Sequence, residues 1–387
     1  MNTMRSGSAP DANVASVHYA IRNKKNSLEA TGFGNYSAVS DSGFSNPKTG
    51  GYYNISLNET KGKWTEWIWH ELITPNYDQN DLGILFGNNQ MTVGGGFNYN
   101  NQELKKGPFY NVNSWGSLNY KTQVEPFQYQ EWEFNTGVSG QFKNFYNIGA
   151  FIYSKPLWYY DYYEPRVEGA KYYHAPFVYT QLFFNTDYRK KVALSASIGY
   201  GESPEPKDTY LEAGVSPYFI LNDHFSFWYD LFVSKDRSNY GFVNFDSNDE
   251  IIFGRRNTFR VSNTINAKYT FNPKMNFNFR ARYYWGKVTY VQFYELQDEG
   301  TLASTDFTGN YDYNFNVFNI DAVYEWEFAP GSFLNLIWKN NIFQSDDAGT
   351  DDYFDNFKKT FDSPQSNGIS VKLIYYLDYL SLRKKSS

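Results

Sequence analysis

The sequence predicts an all-β chain, a transmembrane antiparallel β-barrel of about 16 strands within a range of about 14 to 18. Three observations predict it. Apolar and polar residues alternate with a period of two almost everywhere from Val14 to Leu380, while helical periodicity is hard to find. The 387 residues include 36 Tyr, 34 Phe and 10 Trp, so rings supply about half of the 41% that is hydrophobic. Amphipathic rings suit places where one end is apolar and the other wet, a situation that an aliphatic soluble core does not offer. Lastly, from Lys143 onward short connections alternate with long ones, and barrels of the outer membrane sort their loops by length onto two ends.

Composition removes several other classes. No apolar run approaches the roughly 20 residues of a helical membrane span. The mean hydropathy of −0.63 is compatible with a barrel, whose strands carry one greasy face and one polar face. There is no cysteine, hence no disulfide framework and no thiolate metal site. A net charge of −6 argues against nucleic acid as a partner.

Taken in chain order, residues 1–16 lack the apolar segment of a signal peptide. Residues 1–13 are expected to be a disordered or truncated leader, with the chain forming the C-terminal part of a longer exported protein. Residues 14–380 are expected to form the barrel, and 381–387 a basic tail. Trp64, Trp67 and Trp69 read as strand, and Gly94-Gly95-Gly96 as a strand closely approached by another group. Trp132, Phe134, Val138 and Phe142 face away from Glu131, Glu133, Asn135, Ser139 and Gln141.

Short turns fall at 143–144, 188–190, 222–223, 272–273 and 329–331, built from Asn, Asp, Pro, Gly or other polar residues. Long polar loops are expected at 155–175, 201–209, 236–256, 291–311 and 345–366. Each hairpin takes about 47 residues, which gives about eight hairpins and the strand count above.

In a membrane barrel the greasy face points to lipid and the polar face encloses the lumen. Met275, Phe277, Phe279, Ala281, Tyr283 and Trp285 form one face of a strand, and Asn276, Asn278, Arg280, Arg282 and Tyr284 the other. Arg260, Lys268, Arg280 and Arg282 occupy the inward faces of two adjacent strands. The next strand turns Asp321, Glu325 and Glu327 inward, and Lys339 and Lys372 follow on the next two. Basic strands beside an acidic one favour cross-strand pairing, so these nine residues form a lumen charge network. It reads either as a selectivity lining or as an ionic filling of the interior. Tyr283, Trp285, Tyr324 and Trp326 read as part of an outward aromatic girdle.

Catalytic chemistry is not legible. His70-Glu71 starts like a zinc-protease helix, but no second histidine stands four residues on. No nucleophile elbow, phosphate loop or dinucleotide fingerprint stands in a strand-to-helix context. No metal, cofactor or enzymatic activity is therefore expected for this segment. The loop from Lys155 to His174 sets Trp158, Tyr159, Tyr160, Tyr162 and Tyr163 beside Asp161 and Glu164. Rings beside carboxylates suit glycan binding, and the same rings suit a girdle or a plug of the barrel mouth. Asp346, Asp347, Asp351, Asp352 and Asp355 read as a solvated acidic loop without the EF-hand spacing.

The last strand, SNGISVKLIYYLDYLSL, resembles the C-terminal signal strand read by the outer-membrane assembly machinery, through Gly368, Leu373, Tyr375, Leu377 and Tyr379. The stretches FGRRNTFRVSNTINAKYTFNPKMNFNFRARYYW (253–285) and NFNVFNIDAVYEWEFAPGSFLNLIWKN (314–340), the NDLG of Asn80 to Gly83 and that ending resemble one family. It is the uncharacterised-domain barrel that follows a signal peptide and a family-nine-like carbohydrate-binding β-sandwich in polysaccharide-using Gram-negative bacteria. The resemblance implies an outer-membrane location with a periplasmic C-terminus. It also implies the lipid bilayer, the assembly machinery and an N-terminal carbohydrate-binding-like domain as partners, with glycans reached through extracellular loops. It supplies no catalytic residues. The expected role is to anchor an envelope system for glycans or nutrients, with transport left open. A passive porin and an integral hydrolase are the alternatives.

Overall fold

The computed structural model describes residues 2–3, 10–40, 46–80, 83–85, 87–204, 207–347 and 352–377. A two-residue strand β1 (Asn2–Thr3) precedes β2 (Asp11–Arg22), β3 (Leu28–Ser40), β4 (Lys48–Glu59), β5 (Trp64–Ile73) and β6 (Gln90–Asn101). Then come β7 (Phe109–Gln123), β8 (Gln128–Phe142), β9 (Asn147–Lys155) and the short pair β10 (Tyr159–Asp161) and β11 (Tyr172–His174). The chain continues through β12 (Phe177–Asn185), β13 (Val192–Ser203), β14 (Asp208–Ile220), β15 (Phe225–Phe245), β16 (Ile251–Asn272) and β17 (Met275–Leu296). It ends with β18 (Leu302–Ser304), β19 (Tyr313–Ala329), β20 (Ser332–Asp346), helix α1 (Tyr353–Phe361) and β21 (Gln365–Ile374).

All but β10 and β11 join one 19-stranded antiparallel sheet in which sequence neighbours are spatial neighbours. Two members, β1 and β18, have no more than three residues, and the other seventeen have at least nine. Among the described residues the ladder does not close on itself. β21 pairs only with β20, and β2 pairs with β3 and, at its start, with β1.

The period of two survives in the register. Leu182 stands between Ala150 and Ile198, Ile265 opposite Ala281, Ala281 opposite Ile320, and Trp338 between Ala322 and Ile369. One unbroken face of apolar side chains thus crosses the sheet, because directly opposed residues share a face. Gln181, Glu212, Asn266, Arg280, Asp321, Lys339 and Lys372 belong to the other face. Strand β2 begins at Asp11, inside the stretch expected as a leader. The glycine run fits its reading: a side chain at Gly94 would strike the Trp69 ring, and one at Gly96 the Trp67 ring.

Four expectations are corrected. The stretches 201–209 and 236–256 are mostly strand, leaving only 204–207 and 246–250 as connections, and β17 likewise reaches Leu296. The hydrogen-bonded ladder continues through them, and in β15–β17 a second small core holds it: Phe253 and Leu296 are buried with Tyr172, and Tyr240, Phe242 and Ile251 pack on them.

The acidic loop holds a helix. Asp352 caps it by accepting the Asp355 N–H at 2.9 Å, and Tyr353 and Phe357 turn toward the sheet.

Tyr283 and Trp285 are each only 3% exposed, because α1 covers them. They pack with Val261, Phe318 and Ile342, and so are core residues and not part of a girdle.

The last strand stops at Ile374, opposite Phe333, and beyond it the Tyr376 N–H donates to the Ser332 side chain at 3.0 Å instead of to a ladder carbonyl. Gly368 and Leu373 lie in β21, Tyr375 and Leu377 are exposed beyond it, and Tyr379 and residues 381–387 fall outside the described residues.

Candidate functional site at the long-loop end

The connections β2–β3, β4–β5, β8–β9, β12–β13, β14–β15, β16–β17 and β19–β20 are short and lie at one end of the sheet. The opposite end carries the hairpin of β10 and β11 and the longest loops. Within residues 156–176 the chain turns because the Asp161 carboxylate accepts the N–H groups of Tyr163 (2.7 Å) and Glu164 (3.0 Å). Arg166 (φ 63°) and Gly169 (φ 84°) supply the left-handed residues that reverse it.

On one flank the hairpin rests on β8 and β9. There the Glu131 carboxylate lies between the ammonium groups of Lys121 (3.6 Å) and Lys155 (2.7 Å). Lys155 also stands 4.0 Å from the Tyr159 ring centroid, and Tyr162 donates its hydroxyl to Gln128 at 2.9 Å. On the other flank Glu164 accepts the Phe242 N–H at 3.0 Å and lies 3.7 Å from the Arg256 guanidinium. Tyr172 packs on Phe253, with ring centroids 4.9 Å apart, and Tyr173 donates its N–H to the Gly300 carbonyl at 2.8 Å.

A cavity of about 900 Å³ lies under the hairpin, and both Asn89, just before β6, and Asp298, just after β17, line it. On a flat sheet β6 and β17 would stand roughly 43 Å apart at strand spacing. The sheet therefore curls until distant strands face one another, and the hairpin forms a chord across the curl.

The proposed glycan set is placed in this chord, but most of its rings serve the hairpin itself. Tyr159 stacks on His174 at 4.7 Å, and Trp158 and Tyr160 lie each 4.9 Å from Tyr173. Trp158 and Tyr163 are the exposed members. Of the nine charged residues read as a network, the register sets Arg280 opposite Asp321 and Asp321 opposite Lys339. Among the described residues one ion pair joins two of its members, Lys339 to Asp321 at 3.7 Å. Arg260 instead donates to Ser234 at 3.2 Å, Glu325 accepts from Asn276 at 3.1 Å, and Glu327 accepts the Gly331 N–H in its turn at 3.1 Å.

A three-residue pairing lies elsewhere, at Lys121, Glu131 and Lys155, which sequence reasoning missed. Its signal was present in the polar alternation of Glu131 with Trp132. Asp208 and Asp236, also missed, adjoin each other, and Asp208 is close enough to Tyr159 and Tyr172 of the hairpin to act on them.

Asp208 and Asp236 lie more than ten residues along their strands from the β14–β15 turn, at the end of the sheet that carries the hairpin. Burial, followed by the charge of Asp236, pushes the Asp208 carboxyl up to about 8, and burial pushes Asp236 up too. Burial pulls His174 down to about 4, although Asp161 acts to raise it.

The two shifts predict opposite pH slopes. A carboxyl raised in the folded state contributes stability below its ordinary pKa, and loses it as pH rises from about 4 through about 8. A lowered histidine contributes above about 6.5, and loses that stability as pH falls toward about 4. Between about 4 and 6.5 the two slopes cancel, so amide protection of the hairpin, corrected for intrinsic exchange, is expected to stay level up to about 6.5 and to fall from there to about 8. Asp208→Asn should remove that fall and leave a rise between about 4 and 6.5, and a profile unchanged by it would contradict the assignment.

Compared with known proteins, residues 1–386 match one family model, described as a domain of unknown function (DUF5916). No curated protein matches the chain.

Proposed function

The chain belongs to the DUF5916 family, and from that premise and its geometry we propose that it is an outer-membrane β-barrel module with a capped mouth. It anchors an envelope system that handles glycans or other nutrients. The observation that carries this reading is the unbroken apolar face. Ile55, Ile68, Leu182, Ile198, Leu211, Ile265, Leu336 and Val371 all stand exposed on it. Exposed apolar area of that extent is intolerable in water and normal against lipid. The polar face then lines a lumen, and the lumen charges face water.

Cell fractionation with a heat-modifiability gel tests it. The protein is expected in the outer membrane, migrating differently when unboiled. Folded, monodisperse protein in detergent-free buffer would end the proposal.

The hairpin favours an anchor over a passive porin, since it crosses the curl and is held on both flanks. In planar bilayers the native chain is expected to be silent, and Glu164→Ala, which frees the hairpin from Arg256 and Phe242, to show stepwise currents. Steady currents from the native chain would favour the porin.

Glycan handling draws on the family resemblance and on the cavity. Lys121, Glu131, Gln123 and Gln128 offer hydrogen bonds there, and Tyr160 and Tyr162 offer rings. Saturation binding of soluble glycans is expected to weaken about tenfold in Tyr160→Ala, the loss of roughly 1.4 kcal/mol. Equal affinity in both forms would remove glycans as the ligand. An integral hydrolase, the third class, would require activity that a single substitution such as Asp208→Asn abolishes.

A further inference from the structure

Among the described residues each end of the sheet has an edge without a strand partner: β21 pairs only with β20, and beyond its start β2 pairs only with β3. In β21 the apolar side chains Ile369, Val371 and Leu373 are 80%, 65% and 65% exposed, and in β2 Val17 and Ile21 are 71% and 66% exposed. Such edges are templates for another strand, and a membrane barrel has none, since an unpaired backbone in hydrocarbon costs several kcal/mol per group.

The two edges cannot close on each other in the antiparallel manner of every other pair. Seventeen long strands alternate in direction, so β2 and β21 run the same way, both from the long-loop end to the short-turn end. One further strand, antiparallel to both, satisfies both edges and makes the count even, as in single-chain bacterial barrels.

The beginning of that strand is visible. β1 is antiparallel to β2, with Asn2 opposite Asn13 and Thr3 opposite Ala12. Continued toward its N-terminal side, this register runs down the open edge of β2 and sets the fifth residue before Met1 opposite Tyr19. We propose that the polypeptide preceding residue 1 in the full-length protein supplies this eighteenth strand, closing the barrel between β2 and β21. The inference rests on the barrel reading above. The C-terminal segment is a poorer occupant, because Arg383, Lys384 and Lys385 are consecutive and alternation would turn at least one of them to lipid.

The test uses the full-length protein in outer-membrane preparations. A cysteine replacing Tyr19 is expected to form an intrachain disulfide with a cysteine five residues before Met1, and none with one six residues before it. Backbone amides of residues 17–22 and 366–374 are expected to exchange slowly along both edges. Deleting residues 381–387 is expected to leave that protection unchanged.

Four results would overturn the assignment. They are a link between two chains, a direct link between Tyr19→Cys and Val371→Cys, exchange at solvent rates on either edge, and loss of β21 protection on deleting the tail. Loss of heat-modifiability and of outer-membrane fractionation would instead strike the barrel reading, and the gel reads it separately from the cross-link.

Discussion

Leu182→Arg is expected to destabilise the chain in a bilayer by about 2–4 kcal/mol, the cost of a guanidinium on the lipid face near the midplane. Leu182 lies in the middle of β12, between Ala150 and Ile198, on the face that carries Ile265 and Trp338 further round the sheet. Its chain neighbour Gln181 points the other way and donates to the Glu212 carboxylate at 2.9 Å. Gln181→Arg therefore puts the same charge beside an acid and in water, and should change stability by less than about 0.5 kcal/mol. Urea unfolding midpoints in phospholipid vesicles compare the two. The contrast, and not either value alone, carries the argument, because adjacent residues share strand, depth and propensity. Equal effects on both faces would mean that hydrocarbon does not touch the apolar side.

Trp285→Ala is expected to cost about 3–5 kcal/mol, the range for emptying a buried tryptophan site. Trp285 lies beneath α1, edge-on to Phe259 at 5.3 Å, and donates its indole N–H to Asn314 at 2.6 Å. Asn314 in turn donates to Asn356 of α1 at 2.7 Å, so the substitution removes packing and also one member of a buried amide relay. Trp326→Ala is the control: Trp326 is 39% exposed, on a strand next to that of Trp285, and should lose less than half as much. Unfolding followed by near-ultraviolet dichroism reads both. A similar loss at the two sites would show that α1 contributes no core of its own.

The strands were legible because a sheet with two different surroundings must alternate, and the face read at Met275–Trp285 recurs in the register. Gly94 and Gly96 were legible for a related reason: glycine inside a strand has no packing role, so something must lie against it. Length was harder to read. Residues 236–245 and 251–256 read as loop for their Asp, Asn and Ser, yet they continue β15 and β16, because the ladder runs on and Ile252 and Phe253 find burial that only the folded hairpin above them provides.

The helix was missed because one short element was weighed against a chain of alternation. Its signs were the cap at Asp352 and the apolar spacing of Tyr353, Phe357 and Phe361. Its cover over Tyr283 and Trp285 was not legible at all, since outward rings look alike whether lipid or a helix lies on them. Of the candidate site, the ring-rich loop was visible. Its anchors, Glu131 and Arg256, lie in strands distant in sequence, and only the curl brings them together.

The strands differ greatly in reach. β15, β16 and β17 have 21, 22 and 22 residues, while β9 and β12 have nine. At ordinary rise and barrel tilt, 22 residues stand roughly 50 Å tall, about twice the apolar band, and nine barely cross it. In the proposed membrane orientation the rim would stand as a parapet along β15–β17 and as a low sill at β9 and β12, where the β10–β11 hairpin sits. A polymer would then meet a wall on one side and that hairpin on the other, so the outline of the rim would set the direction of approach before any side chain made contact.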